Sequence, residues 1–125
     1  MAYCVEELLV YQKAQTAADA ISAILNRIEL VRDQELCRQL RAASGRIPSH
    51  IAEGFGQKTD RHFAHYLYIA RGTTKEIRAH LAVAKGRQYI TEAERLMHWE
   101  TYDEIARMLT GLIRHLERDD RKNRG

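Results

Sequence analysis

The stretch Arg46-Ile47-Pro48-Ser49-His50-Ile51-Ala52-Glu53-Gly54-Phe55-Gly56-Gln57 decides how this chain is read. It holds the only proline and two of the seven glycines. Upstream and through it, Leu36, Leu40, Ala43, Ile47, Ile51 and Phe55 recur at spacings of four, three, four, four and four. At about 3.6 residues per turn these fall on one helix face. Pro48 lies inside the pattern. It has no N–H to offer the Ser44 carbonyl, and an interior proline costs a plain helix about 3 kcal/mol. The stripe nonetheless continues beyond it, which predicts one long helix over 34–55, kinked at Pro48, and not two helices. Gly54 and Gly56 are expected to end it in the left-handed conformation. Glu53 then sits in the last turn, where the macrodipole disfavours a carboxylate. A basic group on another helix is expected beside it, from among Lys13, Arg71 and Arg78. Along the flank, Ala42, Gly45, Ser49 and Ala52 form a row of small residues. Such a row fits tight packing inside one bundle or a contact between subunits.

The rest of the chain supplies the partners of that helix. A first helix is predicted over 5–29, with Val10, Ala14, Ala17, Ile21, Ile24, Leu25 and Ile28 inward and Tyr11 at the edge. Asp33 is the expected N-cap of the second helix. Thr59 or Asp60 is expected to cap a third, over 61–85, with Phe63, Leu67, Ala70, Thr74, Ile77, Leu81 and Ala84 inward. That third helix has a second apolar side, Ile69, Gly72, Ala79 and Val83, with Glu76 among them. Two apolar sides are more than one bundle core usually covers, which points to self-association. Beside them runs a basic stripe, Arg71, Lys75, Arg78 and Lys85, bordered by Tyr68. Thr91-Glu92-Ala93-Glu94 reads as a capping box. It opens a fourth helix carrying Leu96, Trp99, Tyr102, Ile105, Ala106, Leu109, Leu112, Ile113 and Leu116. Residues 118–125 are charged or polar and are expected to fray. No strand-like alternation appears. The fold class is therefore all-α, an antiparallel up-down-up-down four-helix bundle of matched helices forming one domain over 1–125.

Composition narrows the function. The 125 residues carry 20 basic and 17 acidic groups, and 45% are hydrophobic, enough for a real core. Residues 34–88 hold ten basic and four acidic groups, so the positive charge is concentrated mid-chain. That permits an acidic partner such as RNA or DNA without requiring one. No apolar run is long enough to span a membrane, and no membrane partner is expected. The N-terminus has neither the basic region nor the apolar core of a signal peptide. Cys4 and Cys37 form no CxxC and read as free thiols in a reducing compartment, so a cytoplasmic location is expected.

Several segments resemble the small four-helix-bundle proteins encoded by intervening sequences in bacterial 23S ribosomal RNA genes. They are Leu8-Leu9-Val10-Tyr11-Gln12-Lys13-Ala14, Ile47 to Gly56, Phe63 to Tyr68, Ile69 to Glu76, Tyr89-Ile90 and Leu109 to Ile113. His50 stands where that family usually has asparagine, and Gln57 where it often has arginine or lysine. The resemblance implies an all-helical bundle that assembles with itself into a ring, a homopentamer, and it supplies no established activity. Accessory proteins of diversity-generating retroelements are similar in fold and are linked to nucleic acid and to a reverse transcriptase. They lack the proline segment, so that reading is the alternative, as is a purely structural assembly with another copy or another protein as partner.

Catalytic and metal signals are weak. His62 and His65 lie three apart and Glu76 and His80 four apart, but helix-surface histidines are usually just solvated. His50 with Glu53 offers an acid–base pair with no nucleophile or phosphate-cradling loop nearby. No enzyme activity, cofactor or metal is expected. The site expectations are thus Arg71, Lys75, Arg78 and Lys85 toward nucleic-acid backbone, and Ala42, Gly45, Ser49, Ala52, Ile69, Gly72 and Val83 toward other subunits. Pro48, Glu53, Gly54 and Gly56 form the structural motif.

Overall fold

The computed structural model describes residues 4–124. A 3-10 turn at Val5–Glu7 leads into α1 (Leu9–Ile24), followed by the short α2 (Ile28–Arg32), α3 (Gln34–Phe55), α4 (Asp60–Gly86) and α5 (Glu92–Arg124). There is no strand among the described residues. The four long helices pack in chain order, α1 on α3, α3 on α4 and α4 on α5, and α5 returns to close weakly against α1. Each long helix thus lies beside its successor, the up-down-up-down arrangement expected from short connections. Leu40, Ile47, Ile51, Leu67, Ile77, Leu81, Ile105 and Leu109 are fully buried at its centre.

The helix over 34–55 runs unbroken through a buried Pro48. Its N-terminus is capped by Asp33, whose Oδ1 accepts the Leu36 N–H at 3.3 Å. Thr59 caps α4 by accepting the His62 N–H. In the capping box, Thr91 Oγ1 accepts from the Glu94 N–H at 3.1 Å and Glu94 Oε1 accepts from the Thr91 N–H at 2.9 Å.

The two glycines of the central motif act differently from expectation. Neither ends α3 in a left-handed conformation. Gly56 is right-handed, with φ −79°. Gly54 is buried within the helix, and a Cβ there would lie 2.8 Å from the Tyr66 Cβ and 3.2 Å from the Phe63 carbonyl oxygen. Gly54 is needed because α4 comes too close for any side chain. The left-handed residue is instead Gln88, with φ 65°, after α4. There the Tyr89 N–H reaches back to the Ala84 carbonyl and the Gln88 N–H to that of Lys85, a Schellman closure without its usual glycine.

The first predicted helix is broken. After Ile24 the chain turns, with Arg27 extended, and restarts as α2. An uninterrupted helix would bury Ile28 and expose Leu30. The break reverses this, leaving Leu30 fully buried and Ile28 55% exposed. It also frees Arg27 to reach across the bundle end. Its guanidinium donates to the Tyr89 carbonyl at 3.2 Å and forks onto both carboxylate oxygens of Glu94. Close by in the chain, Asp33 Oδ2 accepts from Arg87 at 2.6 Å and from the Tyr89 hydroxyl at 2.8 Å. One bundle end is therefore fastened by charge-assisted bonds between segments more than 50 residues apart.

Two further expectations are corrected. The helices are not matched: α1 has 16 residues and α5 has 33. In this structure α5 continues through the charged tail to Arg124, with Asp119 beside His115 and Asp120 beside Arg124; Gly125 lies outside the described residues. Leu96 and Trp99 sit on the surface, whereas His98, not foreseen as core, is buried. Burial pushes the His98 imidazole below its ordinary range, so it is held neutral. Cys37 is buried, Cys4 is exposed, and both are free thiols.

Gly54→Ala is expected to lower unfolding stability by about 1–3 kcal/mol through overpacking, read from the urea midpoint. The Arg27 guanidinium and the Thr91 N–H hold the Glu94 carboxyl well below its ordinary 4.5, at about 2. A depressed carboxyl stabilises the fold above its unfolded value, and that contribution is lost as pH falls through the folded value. The thermal midpoint should therefore fall between about pH 4.5 and 2, and Glu94→Gln should flatten that slope.

Candidate nucleic-acid and assembly surfaces

The basic stripe of α4 lies along its junction with α5, and the junction engages half of it. Arg78 is only 16% exposed; it faces Asp103 at 3.5 Å and lies over the Trp99 ring at 5.3 Å. Its Nε and terminal nitrogen also reach Thr74. Arg71 donates to Thr110 Oγ1 at 3.1 Å and covers the Tyr68 ring at 4.8 Å. Thr110, Asp103 and Trp99 all come from α5 because Arg71 and Arg78, seven apart on α4, face the same neighbour. Lys75 and Lys85 are exposed and have no carboxylate within 4.0 Å among the described residues. Of the four expected phosphate contacts, two thus remain free and two hold α4 to α5.

Glu53 receives none of its expected partners. Lys13 pairs with Glu104 at 2.7 Å, across α1 and α5, while Arg71 and Arg78 face α5. Glu53 is exposed, and water screens its charge, which removes the need for a compensating cation.

The small-residue row of α3 does not pack inside the bundle. Gly45 and Ser49 are exposed, Ala42 and Ala52 partly so, and nothing lies within 4 Å of a Cβ built on Gly45. The second apolar side of α4 is also exposed: Ile69 at 38%, Val83 at 40%, Gly72 and Ala79 with them. Arg46 joins the two helices by pairing with Glu76 at 2.8 Å. With the Gly54–Tyr66 contact this sets an antiparallel register in which Ala52, Ser49, Gly45 and Ala42 run level with Ile69, Gly72, Glu76 and Ala79. Six of the seven residues expected at a subunit contact thus lie level along this helix pair, with Val83 further along α4.

On the opposite side, α1 and α5 leave a groove of about 540 Å³ lined by Leu9, Thr16, Ala20, Met97 and Thr101. Leu9 and Met97 are 68% and 55% exposed. Sequence reading missed this groove, since a helical period does not report how far two helices splay. A second cleft, between the start of α4 and the end of α5, was also missed; it draws on Arg61 and Arg121, sixty residues apart.

The histidines do not converge. No group of three His, Cys, Asp or Glu side chains suited to a metal exists among the described residues. His80 Nε2 lies 3.6 Å from Glu76, itself held by Arg46. His50 stacks near Tyr66, with ring centroids 6.5 Å apart, which places its ring toward α4.

The family model described as 23S rRNA-intervening sequence protein matches residues 6–111. The chain belongs to that family. The fold agrees with a crystal structure of a protein of unknown function from the S23 ribosomal protein family of Bacteroides thetaiotaomicron VPI-5482. The TM-score is 0.76 at 22% identity, over 84% of this chain and 98% of that one. No curated protein matches the chain. The matched residues include the whole Pro48 to Gly56 segment.

Arg78→Ala should cost about 1–2 kcal/mol in urea unfolding, because it removes both the stacking on Trp99 and the Asp103 pair. The emission of Trp99, the only tryptophan, should shift with it. Lys75→Ala should stay within about 0.5 kcal/mol of the parent.

Proposed function

We propose that this protein is a non-catalytic, self-assembling bundle that builds a closed ring of identical subunits. The observation that carries this reading is the placement of its helix-interior glycines. Glycine inside a helix is about 1 kcal/mol less favourable than alanine. Gly54 is required by the α3–α4 contact. Gly45, Gly72 and Gly111 are not, since a Cβ on any of them meets nothing within 4 Å. Gly45 and Gly72 lie on the outer α3–α4 face. Gly111, two turns beyond Glu104 on α5, lies on the α1–α5 side, where Glu104 pairs with Lys13.

Glycines at these positions permit another helix to approach closely from outside. The two faces lie on opposite sides of the four-helix square and differ in shape, one a shallow surface of small residues and the other a groove. Unlike faces joining head to tail give a heterologous contact, which closes into a ring when the rotation allows. The pentamer implied by the family resemblance is one such closure. Nucleic-acid binding along α4 has less support, since Arg71 and Arg78 are held by α5.

Light scattering at micromolar concentration tests this. The wild type should show a multiple of the 14.5 kDa chain mass. Gly72→Arg and Gly111→Arg should each give a helical monomer. Mixed in equal amounts, they should form a heterodimer through the one intact contact. A monomeric wild type would sink the assembly, and failure of the mixture to pair would sink its head-to-tail form.

A further inference from the structure

We propose that the cleft between the start of α4 and the end of α5 is a binding site for phosphate esters. This goes beyond the assembly described above and does not depend on it. The cleft measures about 440 Å³ and is lined by Arg61, His65 and Tyr68 of α4 and by Glu117, Asp120 and Arg121 of α5. Its two carboxylates and its two arginines are in different situations. Glu117 accepts the Tyr68 hydroxyl at 2.9 Å. Asp120 faces the Arg124 guanidinium at 3.2 Å. Arg61 and Arg121 have no carboxylate within 4.0 Å among the described residues, although nine other Lys and Arg side chains do. The acidic lining is thus engaged and the cationic lining is open.

Two planar guanidinium forks facing one cleft suit the tetrahedral oxygens of a phosphate better than a single point charge does. Arg61 is in the first turn of a 27-residue helix, where the macrodipole also favours an anion. Arg114, Arg118 and Lys122 are exposed on the same end of α5 and likewise lack carboxylate partners among the described residues. They continue the positive surface beyond the cleft mouth, as the run of phosphates in a polynucleotide would require. The volume accommodates one nucleotide. The cleft lining holds two aromatic rings, Tyr68, covered by Arg71, and the small imidazole of His65, so recognition rests on phosphate and is indifferent to the base.

The phosphate can be the diester of a single strand or the terminal group of a free nucleotide, and one experiment separates them. A fluorescein-labelled short oligouridylate is titrated with the full chain at low and rising salt, with uridine monophosphate as competitor. Arg61→Glu with Arg121→Glu should weaken binding at least about tenfold and make the logarithmic salt slope shallower by about 1.4, the value for two phosphate contacts to a single strand. Arg32→Glu with Arg41→Glu, at two exposed arginines outside the cleft, makes the same charge change and should weaken binding less than about threefold. Displacement by uridine monophosphate assigns the site to a terminal phosphate, and resistance to it assigns the site to the chain diester. Absence of binding by both probes at low salt overturns the proposal, as does equal weakening by the two double variants. Should the glutamate variant lose its helicity, Arg61→Gln with Arg121→Gln carries the same comparison.

Discussion

The structure depends on the close approach of α3 and α4 at Gly54. A helix pair separated by one hydrogen atom instead of a methyl group has little freedom in register. That contact places Arg46 opposite Glu76 and brings Phe55 against Phe63, their rings 5.9 Å apart and nearly perpendicular. It also explains why α3 continues past Pro48. The proline removes one backbone bond, but the residues beyond it, Ile51 and Gly54, are buried against the rest of the bundle. Tertiary burial at about 25 cal/mol per Å² outweighs the loss of a single helical hydrogen bond.

The other end of the bundle is held by polar chemistry. Asp33 caps a helix and at the same time binds Arg87 and Tyr89, so one carboxylate ties the α1–α3 connection to the α4–α5 connection. Hydrogen bonding from the Tyr89 hydroxyl, joined by the Leu36 N–H and Arg87, holds the Asp33 carboxyl below its ordinary range. Arg27 and Glu94 do the same from the neighbouring turn. The two ends thus differ in kind: one rests on steric closeness, the other on ion pairs that acid weakens.

This division bears on function. Within a helical bundle of this length, charge that is engaged in holding helices together is withdrawn from partners. Arg71 and Arg78 are the clearest instance, being bound on the side that α5 covers. Surface available to partners lies where the helices have no internal use for their side chains. Those places are the glycine-bearing outer faces and the α4–α5 end, where arginines outnumber the carboxylates available to pair with them.

Much was legible in the residues alone. The span of α3, its continuation through Pro48, the caps at Asp33, Thr59 and Thr91, the inward positions of α3 and α4 and the family all follow from local pattern, because a 3.6 period and a capping residue act within a few positions. Periodicity also separated the outer face of Gly45 and Gly72 from the core. What it could not supply is the identity of whatever lies opposite. The break after Ile24 is decided by a buried Leu30 and by Arg27 reaching Glu94, 67 residues away. Gly54 reads as a helix end because the sequence does not record that Tyr66 comes within contact. Arg78 reads as exposed and is not, and Arg61 and Arg121 meet only once the chain has folded back on itself. Sequence determines which side of a helix a residue occupies, and tertiary structure determines what that side meets.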